Sequence, residues 1–222
     1  MKLTEAKPLA EKIAERLRPR CTRVEIVGSI RRERPEPGDI DLVILTDNRE
    51  AVRARCLERC QLVTNGDINF VCRLPGGFQL DIFFARGPVT DLFNPQPGNF
   101  ASLMLLRTGS REHNIFLIER AKLFGLRWDT YRGVLDPEGY VISGDDETSI
   151  YNRLDLPFIE PRLREGAYMM EHFYAKQKSE SRKQKSEETP NAEPVAPAPP
   201  TAAGLAALAE LHAFAETLKG EG

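Results

Sequence analysis

Two aspartates carry the clearest chemical signal at the start of one predicted strand. Asp39 and Asp41 open the segment DIDLVILT, in which alternation of side chains places both carboxylates on one face and Ile40 with its apolar neighbours in the core. Two like charges side by side on a sheet are unfavourable unless a multivalent cation neutralises them. Hard oxygen ligands of this kind suit Mg²⁺, with Mn²⁺ as the alternative.

A third aspartate, Asp81, interrupts the apolar segment FQLDIFFA, which is another predicted strand. If this strand neighbours the first, three carboxylates converge on a patch able to hold two metal ions roughly 3.5–4 Å apart, as in-line phosphoryl displacement requires. One ion would lower the pKa of an attacking hydroxyl, and the other would hold a triphosphate and stabilise departing pyrophosphate. Asp39, Asp41 and Asp81 are therefore the candidate catalytic and metal-binding residues.

The segment before the first two acids, GSIRRERPEPGD, has the composition of a phosphate-binding loop. Gly28 allows close backbone approach, Ser29 offers a hydroxyl, and Arg32 offers a planar guanidinium of permanent charge. Gly38 can bring its amide to the same anion. These four residues are the candidate nucleotide-binding residues of the first half of the chain.

The elements around these residues indicate an α/β (α+β) fold. Periodicity predicts an N-terminal helix around Leu9–Leu17, strands VEIVGS and DIDLVILT, the helix EAVRARCLERC, and a hairpin of INFVCRL and FQLDIFFA around Pro75-Gly76-Gly77. After Asn99 the pattern predicts helices FASLMLLRTG and SREHNIFLIERAKLFG, a hairpin of LRWDTYRGVLD with GYVISG, and closing helices DETSIYNRL and EGAYMMEHFY. We expect a mixed sheet with flanking helices, followed by a smaller α+β lobe.

After Tyr174 the sequence loses apolar periodicity and becomes rich in Lys, Glu, Ser, Ala and Pro, which predicts a disordered linker over residues 175–200. Residues 201–222 predict a short amphipathic helix on this tether, which could dock a protein partner. Cys56 and Cys60 lie four residues apart in a predicted helix, but a zinc site would need two further ligands and the three histidines are scattered. The four cysteines are therefore expected to be reduced thiols. The absence of a signal peptide and of a membrane-length apolar run favours an intracellular protein, in cytoplasm or nucleoid. A net charge of −2 counts against a protein that coats nucleic acid through its overall field, so any such contact is expected to use local basic patches.

The segments GSIRR, GDID and LDIFF resemble the DNA polymerase beta (family X) branch of the nucleotidyltransferase superfamily. That signature alone is shared across the superfamily, including RNA-tailing and antibiotic-modifying enzymes. The branch is indicated by LLRTGSREHNIFLIERAKLFGLRWDTY and ETSIYNRLDLPFIEPRLRE, which are similar to the family X thumb. The resemblance implies a nucleotidyltransferase palm over residues 1–97 and a thumb over residues 98–174.

The resemblance also implies roles for residues of the second lobe. Asn114 matches the thumb position that touches the incoming base, and Thr108-Gly109 match the turn beneath its sugar. Basic candidates for DNA contact are Arg31, Arg107 and Arg111. Two departures bear on substrate choice: Leu106-Arg107 stand where family members usually have Tyr-Phe, and Phe116 and Ile118 lie where a basic residue often meets the template.

Three functions follow from these observations. The first is a family X type DNA polymerase that adds dNMP to a primer 3′-OH by two-metal in-line attack, fills short gaps or repairs DNA, and binds dNTP, two Mg²⁺ ions and primer-template, gapped or 3′-end DNA. The second is a template-independent terminal or RNA-tailing nucleotidyltransferase, which the pair Leu106-Arg107 favours. The third is a non-catalytic DNA-end-binding protein, against which the retained carboxylates count.

Overall fold

The chain has 222 residues, and its computed structural model describes residues 1–90, 92, 97–129, 132–143 and 146–169. All of these belong to a compact unit that spans Met1–Gln177. The predicted linker, the predicted C-terminal helix and the part of EGAYMMEHFY beyond Met169 lie outside the described residues. Among the described residues, no helix has the length and apolar character needed to cross a bilayer.

The first lobe, residues 1–90, consists of a five-stranded sheet and three helices. Its elements in chain order are α1 (Leu3–Leu17), β1 (Arg23–Ile26), α2 (Gly28–Arg31), β2 (Asp39–Leu45), α3 (Arg49–Leu57), β3 (Gln61–Asn65), β4 (Asn69–Arg73) and β5 (Gln79–Phe84). Alanines recurring along one face of α1 are buried, which lets the helix backbone approach the sheet closely. Asn48 caps α3 by accepting a hydrogen bond from the Ala51 amide.

The strands of this sheet lie in the order β1-β2-β5-β4-β3. β2 and β5 are parallel, with Asp41 opposite Asp81, and the other neighbouring pairs are antiparallel. The predicted hairpin is confirmed, because β4 and β5 pair around the Pro75-Gly76-Gly77 turn. The mixed sheet predicted from the sequence is therefore present, and the two acid-bearing strands are direct neighbours.

The two faces of the sheet are buried differently. On one face Ile40, Leu42 and Ile44 join their β5 counterparts and the apolar residues of α1 and α3 in the main core. On the other face Val43 and Phe83 pack with apolar residues of the helix at residues 100–108, while the aspartates near the start of β2 and β5 stay half-buried. The sheet thus presents its carboxylates beside a packed apolar surface.

The second lobe, described from residue 97 to residue 169, contains four helices and a three-stranded antiparallel sheet. Its elements are α4 (Phe100–Thr108), α5 (Arg111–Leu123), β6 (Arg127–Asp129), β7 (Gly133–Leu135), β8 (Val141–Ser143), α6 (Glu147–Arg153) and α7 (Gly166–Met169). Ser110 caps α5 and Asp146 caps α6, each through a backbone N–H three residues later. Its core gathers apolar residues of α4, α5, α6 and β7.

The described structure departs from the sequence interpretation in two places. The predicted strand VEIVGS ends at Ile26, and residues Gly28–Arg31 instead form the single turn α2. Gly28 has a φ of +65°, a conformation that a glycine adopts without strain and that turns the chain out of the sheet. The strand β3 was not predicted, because all five of its residues are exposed and give no apolar alternation.

Candidate active site

The three predicted carboxylates form one cluster near the N-terminal ends of β2 and β5. Asp39, Asp41 and Asp81 each offer an oxygen, and these oxygens lie within 4.8 Å of one another. Period-two alternation puts Asp39 and Asp41 on the same face, and the parallel register brings Asp81 opposite Asp41. Strands that are 40 residues apart in sequence thereby build a single anionic patch.

The environment of this cluster suits divalent cations. Burial raises the pKa of Asp41 well above its usual value, and the charges of Asp39 and Asp81 raise it further, while Arg107 opposes them. Gln79 donates a hydrogen bond of 2.8 Å to Asp81 Oδ1 and fixes that carboxylate from the same face of β5. Clustered carboxylate oxygens that repel one another are the ligand type that Mg²⁺ and Mn²⁺ prefer, so the residues present fit such ions.

Gly28 packs directly against the carboxylate cluster. A Cβ added at this position would overlap the Asp41 carboxylate, and the Val27 amide donates a 2.9 Å hydrogen bond to the Asp41 carbonyl. The glycine is therefore required for the position of a metal-binding candidate, in addition to its predicted place in the phosphate-binding loop. Sequence reasoning identified the residue but not this contact.

We expect Gly28→Ala to lower the rate of the nucleotide transfer predicted from the sequence about 100-fold, because displacing a catalytic group by about 1 Å costs on that order. The measurement is single-turnover primer extension. The matched control is Gly125→Ala, since Gly125 has a φ of +67° and open space where a Cβ would lie. Gly125→Ala introduces the same kind of backbone strain as Gly28→Ala but no overlap with the Asp41 carboxylate. Equal rates in the two variants would contradict the assignment of the effect to Asp41.

The remaining residues of the loop are placed as follows. Ser29 Oγ is buried and has no hydrogen-bond partner among the described residues, so it remains available to an anion. Gly38 is exposed immediately before β2. Their binding of a triphosphate stays a prediction.

Arg31 connects α2 to the second lobe. Its guanidinium donates two hydrogen bonds to Glu147, of 2.9 and 2.6 Å, and one of 2.8 Å to Thr108 Oγ1. Glu147 also accepts a 2.9 Å bond from Arg164, whose side chain is fully buried. Burial alone would raise the pKa of Glu147, but the two guanidiniums hold it below its usual value. The guanidinium of Arg31 is thus engaged within the protein, and its contact with DNA stays a prediction.

Arg32 also reaches the second lobe. Its Nε donates a 2.8 Å hydrogen bond to Glu165 Oε1, and its Nη1 bonds the Thr108 carbonyl. Arg34 Nη1 donates a 2.9 Å bond to the other oxygen of the same carboxylate. Only 16% of the Arg32 side chain is exposed, so this candidate triphosphate ligand is held in place by its protein partners.

The turn between α4 and α5 lies over these arginines. Thr108 and Gly109 are buried, and Arg32 Nη1 would lie 3.2 Å from a Cβ at Gly109. Asn114 donates a 2.9 Å hydrogen bond to the Leu106 carbonyl, and its contact with an incoming base stays a prediction. His113 is buried below the turn with Nε2 at 2.7 Å from the Tyr151 hydroxyl. Burial and the charge of Arg164 lower the His113 pKa well below its usual value.

The two other basic candidates have different surroundings. Arg107, in the last turn of α4, lies with its guanidinium 3.8 Å from the centre of the Phe83 ring. It is close enough to the cluster to lower the pKa of Asp41. Arg111 is exposed at the first turn of α5. Contact of either with DNA stays a prediction, and the position of Arg107 beside the carboxylates also favours a contact with bound nucleotide.

Sequence reasoning missed the partners that hold the site. Gln79 could have been found, because it lies two residues before Asp81 on the same strand and therefore on the same face. Glu147, Arg164 and Glu165 lie in the thumb-like segment ETSIYNRLDLPFIEPRLRE, but their partners could not be predicted. Their contacts with the phosphate-binding loop join positions more than 100 residues apart or, for Arg164, act through Glu147.

Comparison with known proteins agrees with the motifs. Residues 103–165 match the family model described as the DNA polymerase beta thumb. Over 149 residues the chain is 28% identical to the DNA polymerase/3'-5' exonuclease PolX of Bacillus subtilis (strain 168). The aligned region covers 66% of this chain and 25% of that protein. The chain therefore spans a quarter of the length of this curated relative. The two comparisons confirm the predicted resemblance: the chain is similar to DNA polymerase beta-like, family X polymerases, and residues 103–165 correspond to their thumb.

Proposed function

We propose that this chain is a DNA-directed DNA polymerase of the family X type, which adds dNMP to a primer 3′-OH and releases pyrophosphate. The observation that carries the proposal is the carboxylate cluster of Asp39, Asp41 and Asp81 on two parallel strands. The thumb match over residues 103–165 narrows the superfamily signature to this branch. Such an enzyme would act inside the cell, in short-gap filling or DNA repair.

Within this proposal, Asp39 and Asp41 would hold both metal ions, and Asp81 would hold the catalytic one beside the primer 3′-OH. Bound Mg²⁺ or Mn²⁺ lowers the pKa of the attacking hydroxyl and neutralises charge on the triphosphate. Gln79 orients the Asp81 carboxylate, because its amide donates a hydrogen bond to Oδ1. Gly28 leaves the room that the Asp41 carboxylate occupies.

The phosphate-binding loop would take the triphosphate next to the carboxylates. Ser29 supplies a hydroxyl without a partner among the described residues, Arg32 supplies positive charge, and Gly38 supplies an exposed amide. Thr108, Gly109 and Asn114 would lie beneath the sugar and base. The predicted C-terminal helix could raise the local concentration of the enzyme at a DNA-bound protein partner.

One observation favours a second candidate, a template-independent or RNA-tailing nucleotidyltransferase. Leu106 and Arg107 replace the aromatic pair usual in family X, and Arg107 lies against Phe83 near Asp41. A guanidinium there offers hydrogen-bond donors to a ribose hydroxyl, which an aromatic ring would exclude. Ribonucleotide use is the property that separates the two candidates.

Primer extension on four substrates distinguishes these functions. We expect the purified full chain with Mg²⁺ or Mn²⁺ to fill a one-nucleotide gap with the templated dNTP and to extend a single strand at least tenfold more slowly. Parallel reactions contain rNTPs. Equal extension of the single strand, or equal use of rNTPs, would favour the transferase. No extension of any substrate, with retained binding to DNA ends, would favour the non-catalytic DNA-end-binding protein.

A further inference from the structure

The carboxylate of Glu165 binds two arginines of the phosphate-binding loop, Arg32 and Arg34. Oε1 lies 2.8 Å from Arg32 Nε, and Oε2 lies 2.9 Å from Arg34 Nη1. A planar anion with two oxygens, each accepting from a different guanidinium, makes the contacts that a phosphate group makes with paired arginines. Glu165 therefore takes the place of an anionic ligand on this pair.

The position of Glu165 makes this contact conditional on the second lobe. The residue lies between the short turn Pro161–Leu163 and α7, and its carbonyl accepts a 3.0 Å hydrogen bond from the Met169 amide. Arg32 is also bonded by the Thr108 carbonyl at the end of α4. The guanidinium is thus enclosed by groups of the second lobe, and a triphosphate could reach its Nε edge only by replacing Glu165.

The Glu165 carboxylate and a triphosphate differ in charge, and this difference decides which of them binds the two arginines. One carboxylate carries a single negative charge, whereas a triphosphate carries several and has more oxygens for the same donors. Glu165 is 29% exposed and Arg34 is 53% exposed, so their ion pair is screened by solvent and can be exchanged. Ser29 Oγ, which has no partner among the described residues, would gain one from the incoming anion.

We propose that Glu165 is an internal competitor for the triphosphate, which holds Arg32 and Arg34 until a nucleotide displaces it. The inference rests on the proposed function and assigns a positioning role to a residue of the second lobe. Displacement frees the side chain of Glu165, and its carboxylate returns to the arginines when pyrophosphate leaves. Weakly charged anions are excluded because they do not replace it.

Binding of inorganic tripolyphosphate tests this without DNA or catalysis. Isothermal titration calorimetry on the full chain should show about tenfold tighter binding to Glu165→Gln than to the wild type, which is the effect of removing one competing charge-assisted contact. The difference should shrink at high KCl, since both interactions are screened. Glu160→Gln, an exposed change five residues earlier, is the matched control and should bind like the wild type.

Two further measurements separate competition from a structural role. Glu165→Asp keeps the charge with a shorter reach and should bind tripolyphosphate with intermediate affinity, even if Glu165→Gln is poorly folded. In primer extension, Glu165→Gln should lower the KM for dNTP without raising kcat. Weaker or unchanged binding by Glu165→Gln would overturn the proposal, and so would absence of tripolyphosphate binding in both proteins. Neither of those results depends on whether the protein extends a primer.

Discussion

Replacing Asp81 by Asn should reduce nucleotide transfer at least 1000-fold while leaving the fold intact. The amide keeps the size of the side chain but removes one of three carboxylates whose oxygens lie within 4.8 Å. A loss of about 4 kcal/mol in transition-state stabilisation corresponds to this factor, and metal ligation supplies several kcal/mol. Single-turnover primer extension on the one-nucleotide gap gives the rate.

Thermal unfolding provides a second readout for the same variant. In buffer without divalent ions, Asp81→Asn should unfold at a temperature equal to or above that of the wild type, because a repelling charge beside Asp41 is removed. Added Mn²⁺ should raise the melting temperature of the wild type but not of the variant. Asp67→Asn, an exposed substitution in the same lobe, should match the wild type in both assays. Transfer by Asp81→Asn within tenfold of the wild type would remove this residue from the metal site.

Replacing Glu147 by Gln should lower the free energy of unfolding by about 3–5 kcal/mol, the usual cost of leaving a buried charge without its partner. Glu147 is 5% exposed and accepts from Arg31 and Arg164, and the Arg164 side chain is fully buried. After the change, Arg164 would retain a 2.9 Å bond to the Ile159 carbonyl and its contacts with two aromatic rings. Urea denaturation followed by circular dichroism measures the difference.

The pH dependence of this effect has a definite sign. Because the folded state holds the Glu147 pKa below its usual value, the stabilisation is fully present above the unfolded pKa of about 4.3 and is lost as pH falls through the folded value. The gap between wild type and Glu147→Gln should therefore close in acid. Glu119→Gln on the exposed side of α5 is the control. The double variant Glu147→Gln/Arg164→Met should regain part of the loss, and no recovery would contradict the ion-pair explanation.

Much of the site was predictable because strand periodicity is local. Alternation within DIDLVILT was enough to place Asp39 and Asp41 on one face. The convergence of Asp81 with them was predicted on the condition that the two strands are neighbours, and the observed register confirms that condition. The β4–β5 hairpin followed from the Pro-Gly-Gly turn for the same reason. These features depend on residues within one strand or one turn.

The rest depended on contacts between distant segments. Nothing in GSIRR indicates that Arg31 bonds Glu147 or that Arg32 bonds Glu165, because each pair is separated by more than 100 residues. The strand β3 lacks apolar alternation since it is exposed along its whole length at the edge of the sheet. Pairing with β4 rather than burial makes it a strand, and a hydrophobic pattern does not record pairing.

The bonds that Thr108 forms with Arg31 and Arg32 have a consequence for exchanging parts between relatives. Arg31 and Arg32 belong by sequence to the first lobe, but their guanidiniums bind acids of the second lobe. A chimera that joined this first lobe to a thumb without acids at the positions of Glu147 and Glu165 would leave both guanidiniums without these partners. In such a chimera, a graft that transferred residues 28–34 together with the thumb would keep the arginines and their acids in one piece. The segment to exchange between relatives therefore does not end at the boundary between the lobes.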